Sequence, residues 1–203
     1  MIAIVDYDAG NLRSVLRACH AVGVEAEITP DPDAVAGAER VIFPGVGAAQ
    51  SAMATLNRTG LGDALRAAFD KGTPILGICL GTQVILEHSE EGDTPCLGLV
   101  EGRAIRFRLT DPMLKIPHMG WNGIEIVRPH PVLEGIENGN AFYFVHSFHP
   151  SGVPEDQVCA VTEYEIPFCC AMAKANLFAT QFHPEKSGRF GLKMLENFAN
   201  WTV

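Results

Sequence analysis

The sequence predicts an α/β fold on a mostly parallel central sheet, with an antiparallel extension in its C-terminal half. Three observations carry this. In roughly the first hundred residues, short apolar runs alternate with amphipathic helical segments. Each run is continuously apolar, as a strand covered on both faces requires. From about Gly98 the helical segments give way to strand-like runs separated by turns.

Residues 2–7 read as a buried strand, and Asp8-Ala9-Gly10-Asn11 as a turn whose Asn11 caps a helix over 12–22, stopped by Gly23. A second strand follows at 24–29. Asp31-Pro32 opens a short helix, since proline at the first helical position loses no hydrogen bond. A strand at 40–43 ends in Pro44-Gly45-Val46-Gly47. Helices are expected at 49–56 and 61–71, a strand at 74–78 and a helix at 82–88. Strands then fall at 100–108, 123–127, 141–145, 158–164, 168–173 and 177–182. A final helix over 189–201 places Phe190, Met194, Leu195 and Phe198 on one face.

The length, 203 residues, suits one domain spanning 1–203. No apolar run approaches the roughly 20 residues of a membrane helix, and the chain opens on a strand without a basic leader. The expectation is a cytoplasmic protein with no membrane partner. A net charge of −9 argues against non-specific nucleic-acid binding. The six cysteines show no C-x-x-C spacing, and no Cys/His/Asp pattern suggests zinc, so neither metal nor cofactor is expected. A cysteine is ordinarily a small buried hydrophobe, so Cys79 has to be distinguished by its surroundings.

Those surroundings are Gly77-Ile78-Cys79-Leu80-Gly81 at a strand-to-helix junction. Such an elbow holds a nucleophile in a strained turn at a strand end. Free N–H groups at the start of a helix favour thiolate over thiol, and the Leu80 N–H points where an oxyanion would form. Gln181-Phe182-His183-Pro184-Glu185 ends the last strand. Pro184 keeps His183 extended, so His183 and Glu185 share a side. The carboxylate can then fix the imidazole and leave its other nitrogen for Cys79. The glycine loop at 44–47, also at a strand end, is a candidate second oxyanion donor. It is too short for a phosphate loop and lacks that loop's lysine. Gln83 and Glu87, four apart on one expected helix, could read a small amino acid.

The stretches GICLGTQ (77–83) and QFHPEKSG (181–188) resemble the class I, triad-type glutamine amidotransferases. DYDAGNLRSV (6–15), PGVG (44–47), KIPHMGWN (115–122), YFVHSF (143–148) and LENF (195–198) narrow the likeness to the glutaminase subunits of imidazole glycerol phosphate synthases, over nearly the whole chain. The resemblance implies a flavodoxin-like three-layer sandwich. It implies Cys79 as nucleophile, His183 as base and Glu185 as its orienter, with the Gly47 and Leu80 amides at the oxyanion. It places Gln83, Glu87, His146 and Ser147 on glutamine, and Asn11, Trp121, Tyr143 and Lys186 toward a partner. That partner is the cyclase, whose (β/α)8 barrel forms a heterodimer with this chain and receives its ammonia. Asp8, Ala49 and Phe148 depart from the family's usual residues without touching the triad. KIPHMGWN also reads as an apolar, aromatic docking loop. The competing readings are the glutaminase of another biosynthetic amidotransferase, a cysteine γ-glutamyl hydrolase or peptidase on a similar sheet, and a non-catalytic interaction subunit.

Overall fold

The computed structural model describes residues Met1 to Val203. Its first half runs β1 (Ile2–Val5), α1 (Leu12–Ala21), β2 (Ala26–Thr29), α2 (Pro32–Gly37), β3 (Arg40–Gly45), α3 (Ala49–Thr59), α4 (Leu61–Asp70), β4 (Ile75–Cys79) and α5 (Leu80–Val84). Ten strands follow: β5 (His88–Ser89), β6 (Thr94–Pro95), β7 (Arg103–Arg106), β8 (His118–Gly123), β9 (Glu125–Ile126), β10 (Ala141–His146), β11 (Phe148–Ser151), β12 (Val158–Tyr164), β13 (Ile166–Lys174) and β14 (Leu177–Thr180). The helix α6 (Gly188–Asn200) closes the fold.

Eight strands form the central sheet in the order β2-β1-β3-β4-β14-β13-β12-β9. Neighbours from β2 to β14 are parallel, and those from β14 to β9 antiparallel. The residues of the parallel strands alternate between two cores. Val5, Val41, Phe43 and Ile75 face a core built with Met53, Leu56, Leu61 and Leu65 of α3 and α4. Ile4, Ile42, Leu76 and Ile78 face the opposite core, with Val15 of α1 and Met194, Leu195 and Phe198 of α6. Because both faces are buried, β1, β4 and β3 from Val41 onward are apolar throughout, whereas the edge strand β2 carries the exposed Glu27. The result is the expected three-layer arrangement, mostly parallel with an antiparallel extension. No helix is long and apolar enough to cross a membrane.

Register places the site. Gly45 lies opposite Cys79, and Thr180 opposite Ile78. The carboxyl ends of β3, β4 and β14 therefore arrive together, delivering the glycine loop, Cys79 and the segment from Gln181 to one spot.

Two expected elements differ. The helix at 82–88 is instead the five-residue α5 ending at Val84. The run Val84-Ile85-Leu86 is wholly buried and has no polar face. Its carbonyls accept N–H groups from Leu97, Gly98, Leu99 and Val100 instead of a further helical turn. The docking loop at 115–122 is largely strand: β8 pairs antiparallel with β10, Trp121 opposite Tyr143. It alternates, with His118 buried and Met119 and Trp121 exposed.

Candidate active site

Cys79 adopts φ 54° and ψ −106°, a conformation a non-glycine residue holds only under constraint. The flanking glycines explain how. A Cβ on Gly81 would overlap the Phe43 carbonyl oxygen, and one on Gly77 would crowd the Ala179 side chain at 3.1 Å. α5 is too short to contribute much dipole. What it supplies is the Leu80 N–H at its first position, which has no partner inside the helix. Gly47 sits at φ +107°, with open space where a side chain would be.

His183 and Glu185 are both buried, their side chains 1% exposed. The His183 Nδ1–H donates to Glu185 Oε1 at 2.8 Å, since a carboxylate can only accept. That leaves Nε2, buried and without another partner, for the Cys79 sulfur. Burial pulls the imidazole down, but the charge and hydrogen bond of Cys79, followed by Glu185, outweigh it and raise His183 to about 9. The histidine is therefore an imidazolium when the cysteine is a thiolate. His183 is anchored through its backbone too: its N–H donates to the Tyr143 carbonyl at 2.9 Å. The Ser187 hydroxyl donates to the His183 carbonyl at 2.6 Å and accepts the Tyr143 N–H at 3.0 Å.

A cavity of about 380 Å³ opens over Cys79, and Gly47, Leu80, Gln83, His146, Ser147 and Lys186 line it. Glu87 does not. It lies past the end of α5, exposed, with its carboxylate accepting the Gly102 N–H at 3.2 Å. The carboxylate lining the cavity is Glu91, whose Oε2 also accepts the Ala49 N–H at the start of α3 at 2.7 Å. Nothing in the Ser-Glu-Glu-Gly-Asp turn singled Glu91 out, because the short α5 changes which carboxylate returns to the site.

The His146 ring has no free nitrogen. Its Nδ1–H donates to the Phe148 carbonyl at 2.8 Å, and its Nε2 accepts from His118 Nδ1–H at 3.0 Å. Burial keeps both rings neutral, lowering His146 to about 3 and His118 to about 4. His146 can thus wall the cavity but has no ring nitrogen to give a ligand. Gln83 is also committed on one side: its NH2 donates to the Phe148 carbonyl at 2.9 Å and to Gln181 Oε1 at 3.1 Å. Only its carbonyl oxygen is available to a ligand.

Asn11 is not turned to solvent. Its Nδ2 donates to Glu185 Oε1 at 2.5 Å, and it makes no side-chain cap on α1. Trp121 is 60% exposed, edge-on to Tyr143 at 6.1 Å, and Lys186 Nζ lies 5.8 Å from the Tyr143 ring centre. With exposed Met119 they form an apolar and cationic rim. Asp8, at φ 65°, takes the left-handed conformation expected of glycine, with its N–H on Asp6 Oδ1. Ala49 is buried at the start of α3, and Phe148 lines the cavity with its carbonyl accepting the Gln83 NH2. Gln181, Ser187 and His118 were not foreseen. For Gln181 the signal was its place in the same QFHPE stretch, two residues before His183, where the chain bends after β14.

Residues 3–201 match the family described as Glutamine amidotransferase class-I. The chain is 48% identical to a protein of Thiobacillus denitrificans named imidazole glycerol phosphate synthase subunit HisH, over 98% of this chain and 91% of that one. It is 46% identical to one of the same name from Dehalococcoides mccartyi, over 98% and 96%. Among solved structures, PurLQS from Thermotoga maritima superposes with a TM-score of 0.77 at 18% identity, covering 98% of this chain and 97% of that one. The glutaminase domain of CTPS from Trypanosoma brucei gives 0.68 at 20% identity, over 100% and 94%. At these identities the two structures attest the fold. The family match over almost the full length, on a fold with a strained cysteine elbow, places this chain in the class-I glutamine amidotransferase family.

Proposed function

We propose that this chain is the glutaminase subunit of an imidazole glycerol phosphate synthase of histidine biosynthesis. It hydrolyses L-glutamine to glutamate and ammonia and supplies the ammonia to a cyclase subunit. The observation that carries the reading is the His183–Glu185 hydrogen bond beside Cys79, in a chain nearly half identical to such subunits.

The Cys79 thiolate attacks the side-chain amide carbon of glutamine, and the oxyanion accepts the N–H groups of Leu80 and Gly47. His183 gives its Nε2 proton to the leaving nitrogen, releasing ammonia and a γ-glutamyl thioester. Water, deprotonated by the same nitrogen, then frees glutamate. Glu185 holds the ring in the required tautomer throughout. The Gln83 carbonyl and the Glu91 carboxylate are acceptors suited to the α-ammonium group, with Ser147 beside them. The rim of Met119, Trp121, Tyr143 and Lys186 would meet the cyclase, a (β/α)8 barrel in a heterodimer. The barrel uses the ammonia to make imidazole glycerol phosphate and aminoimidazole carboxamide ribotide.

The test is Cys79→Ala in complex with the cyclase. Glutamine-dependent synthesis should be abolished while ammonia-dependent synthesis continues. Equal loss of both would reject the ammonia-donor role.

A further inference from the structure

Gln181 follows β14 just as Cys79 ends β4, and parallel register brings the two together. It is fully buried, and one backbone carbonyl decides which way its amide points. The Phe148 carbonyl can only accept, so the Gln83 group 2.9 Å from it is the NH2. The second hydrogen of that NH2 is directed at Gln181, 3.1 Å away, which must answer with its oxygen. The Gln181 NH2 is then left facing Cys79 Sγ at 3.7 Å, as a donor to sulfur.

A donor interacts more strongly with an anion than with a neutral acceptor. The thiol form has a different partner, since its S–H can donate to the Val145 carbonyl at 3.9 Å. Loss of the proton therefore exchanges a weak bond for a charge-assisted one. We propose that Gln181 belongs to the catalytic centre: its side-chain amide, locked by Gln83 and the Phe148 carbonyl, donates to the Cys79 sulfur and favours the thiolate. The same lock turns the Gln83 carbonyl toward the cavity, so one amide pair serves both the nucleophile and the substrate contact. This rests on the reading of Cys79 as nucleophile. The other titratable groups near the sulfur are His183 and Tyr7, with Glu91, Lys186 and His146 lining the same cavity.

The test uses iodoacetamide, followed by mass spectrometry of the Cys79 peptide in the full chain. Burial raises the thiols of Cys19, Cys96, Cys159, Cys169 and Cys170, so the reagent discriminates. Gln181→Glu keeps the shape and the acceptor but replaces the donor with a negative charge. Its alkylation at neutral pH should slow about tenfold, with the pH profile moved up by about one unit. Glutaminase kcat should fall by a similar factor, with a smaller change in KM. Gln181→Met, of similar volume and without a donor, should shift the profile in the same direction by less. Unaltered profiles in variants that still unfold cooperatively in urea near the native midpoint would overturn the proposal. Should neither variant fold, the native chain with ¹⁵N-labelled side-chain amides decides: the Gln181 NH2 signal should move with the midpoint of Cys79 alkylation, and an unmoved signal overturns it. If native Cys79 reacts no faster than the other five cysteines, the nucleophile reading itself fails and the proposal with it. Fast native alkylation with unchanged variants removes Gln181 alone.

Discussion

Asn11 and Glu185, 174 residues apart, share a hydrogen bond of 2.5 Å to the same carboxylate oxygen that holds His183. Glu185 Oε2 is buried with no partner, so all of its compensation comes through Oε1. The turn before α1 is thereby tied to the carboxylate that holds His183. Asn11 adopts φ 79° to deliver its amide, a left-handed conformation that asparagine tolerates better than most residues.

Asn11→Asp tests that contact. Two carboxylates this close cannot both ionise readily, so one takes up a proton and His183 loses part of its counter-charge. Glutaminase kcat should fall about tenfold or more, by the scale of one displaced pKa unit. The pH–rate profile should move to higher pH, where the extra proton leaves. Steady-state turnover across pH checks both, and an unmoved profile would mean Asn11 is only packing.

The raised His183 makes stability depend on pH in a definite direction. Its folded value of about 9 lies above the ordinary histidine value of 6.5, so between them the folded chain binds more protons than the unfolded one. The stabilisation is complete below about 6.5 and is lost as pH rises through about 9. Cys79→Ala removes the largest influence raising the imidazole. Taken together with Cys79 the balance changes, because a thiolate formed on folding gives up the proton that His183 takes up. The pair then exchanges no net proton and should leave the native Tm nearly level between pH about 6.5 and about 8.5. A native Tm that falls steeply across this window, beyond any fall of Cys79→Ala, would contradict the thiolate–imidazolium pair.

Much of the site was legible because its chemistry lies in local patterns. Gly77 to Gly81 reads as an elbow from its own spacing, and Pro184 does keep His183 extended, at φ −101° and ψ 97°. Glu185 reaches the ring not from an extended segment, as expected, but from a 3-10 turn over Pro184–Lys186. What failed depended on long-range pairing. The helix expected through Glu87 ends at Val84 because Leu97 to Val100 take its carbonyls, which moves the carboxylate of the cavity to Glu91. Asn11 looked like a helix cap because its position is right, and only the fold shows its amide committed to Glu185. The 115–122 segment hid a strand because its inward positions include His118 and a glycine, not an apolar alternation.

Gly45 carries a second coupling. A Cβ there would overlap the Tyr7 hydroxyl, with the Leu80 Cβ at 3.1 Å and the Tyr7 Cζ at 3.2 Å next in line. The hydroxyl is buried without a partner, and burial together with the charge of Cys79 keeps it protonated. Gly45→Ala should destabilise by about 1–3 kcal/mol through overpacking. Tyr7→Phe should be neutral or mildly stabilising, because it removes an unsatisfied group. The double variant should recover part of the Gly45→Ala loss, since the hydroxyl is the nearest obstacle. Urea unfolding of the four proteins measures the coupling, and additive effects would mean the backbone, not Tyr7, excludes the side chain.

The paired histidines give the opposite pH signature from His183. His118 and His146 are lowered to about 4 and about 3, so each stabilises the folded chain fully above about 6.5. That stabilisation is lost as pH falls through the folded values, because the unfolded chain takes up protons first. His118→Phe keeps a ring between Phe144 and Tyr164, where His118 stacks at 4.9 and 4.1 Å. It leaves His146 Nε2 buried and unpartnered, at a cost of about 1–3 kcal/mol at pH 7.5. At pH 5 the native chain has lost part of the His118 contribution, while the variant has none to lose. Urea unfolding should therefore show the gap between the two proteins narrowing from pH 7.5 to pH 5. A gap that stays constant would mean that folding does not hold His118 neutral and that its contribution is independent of protonation.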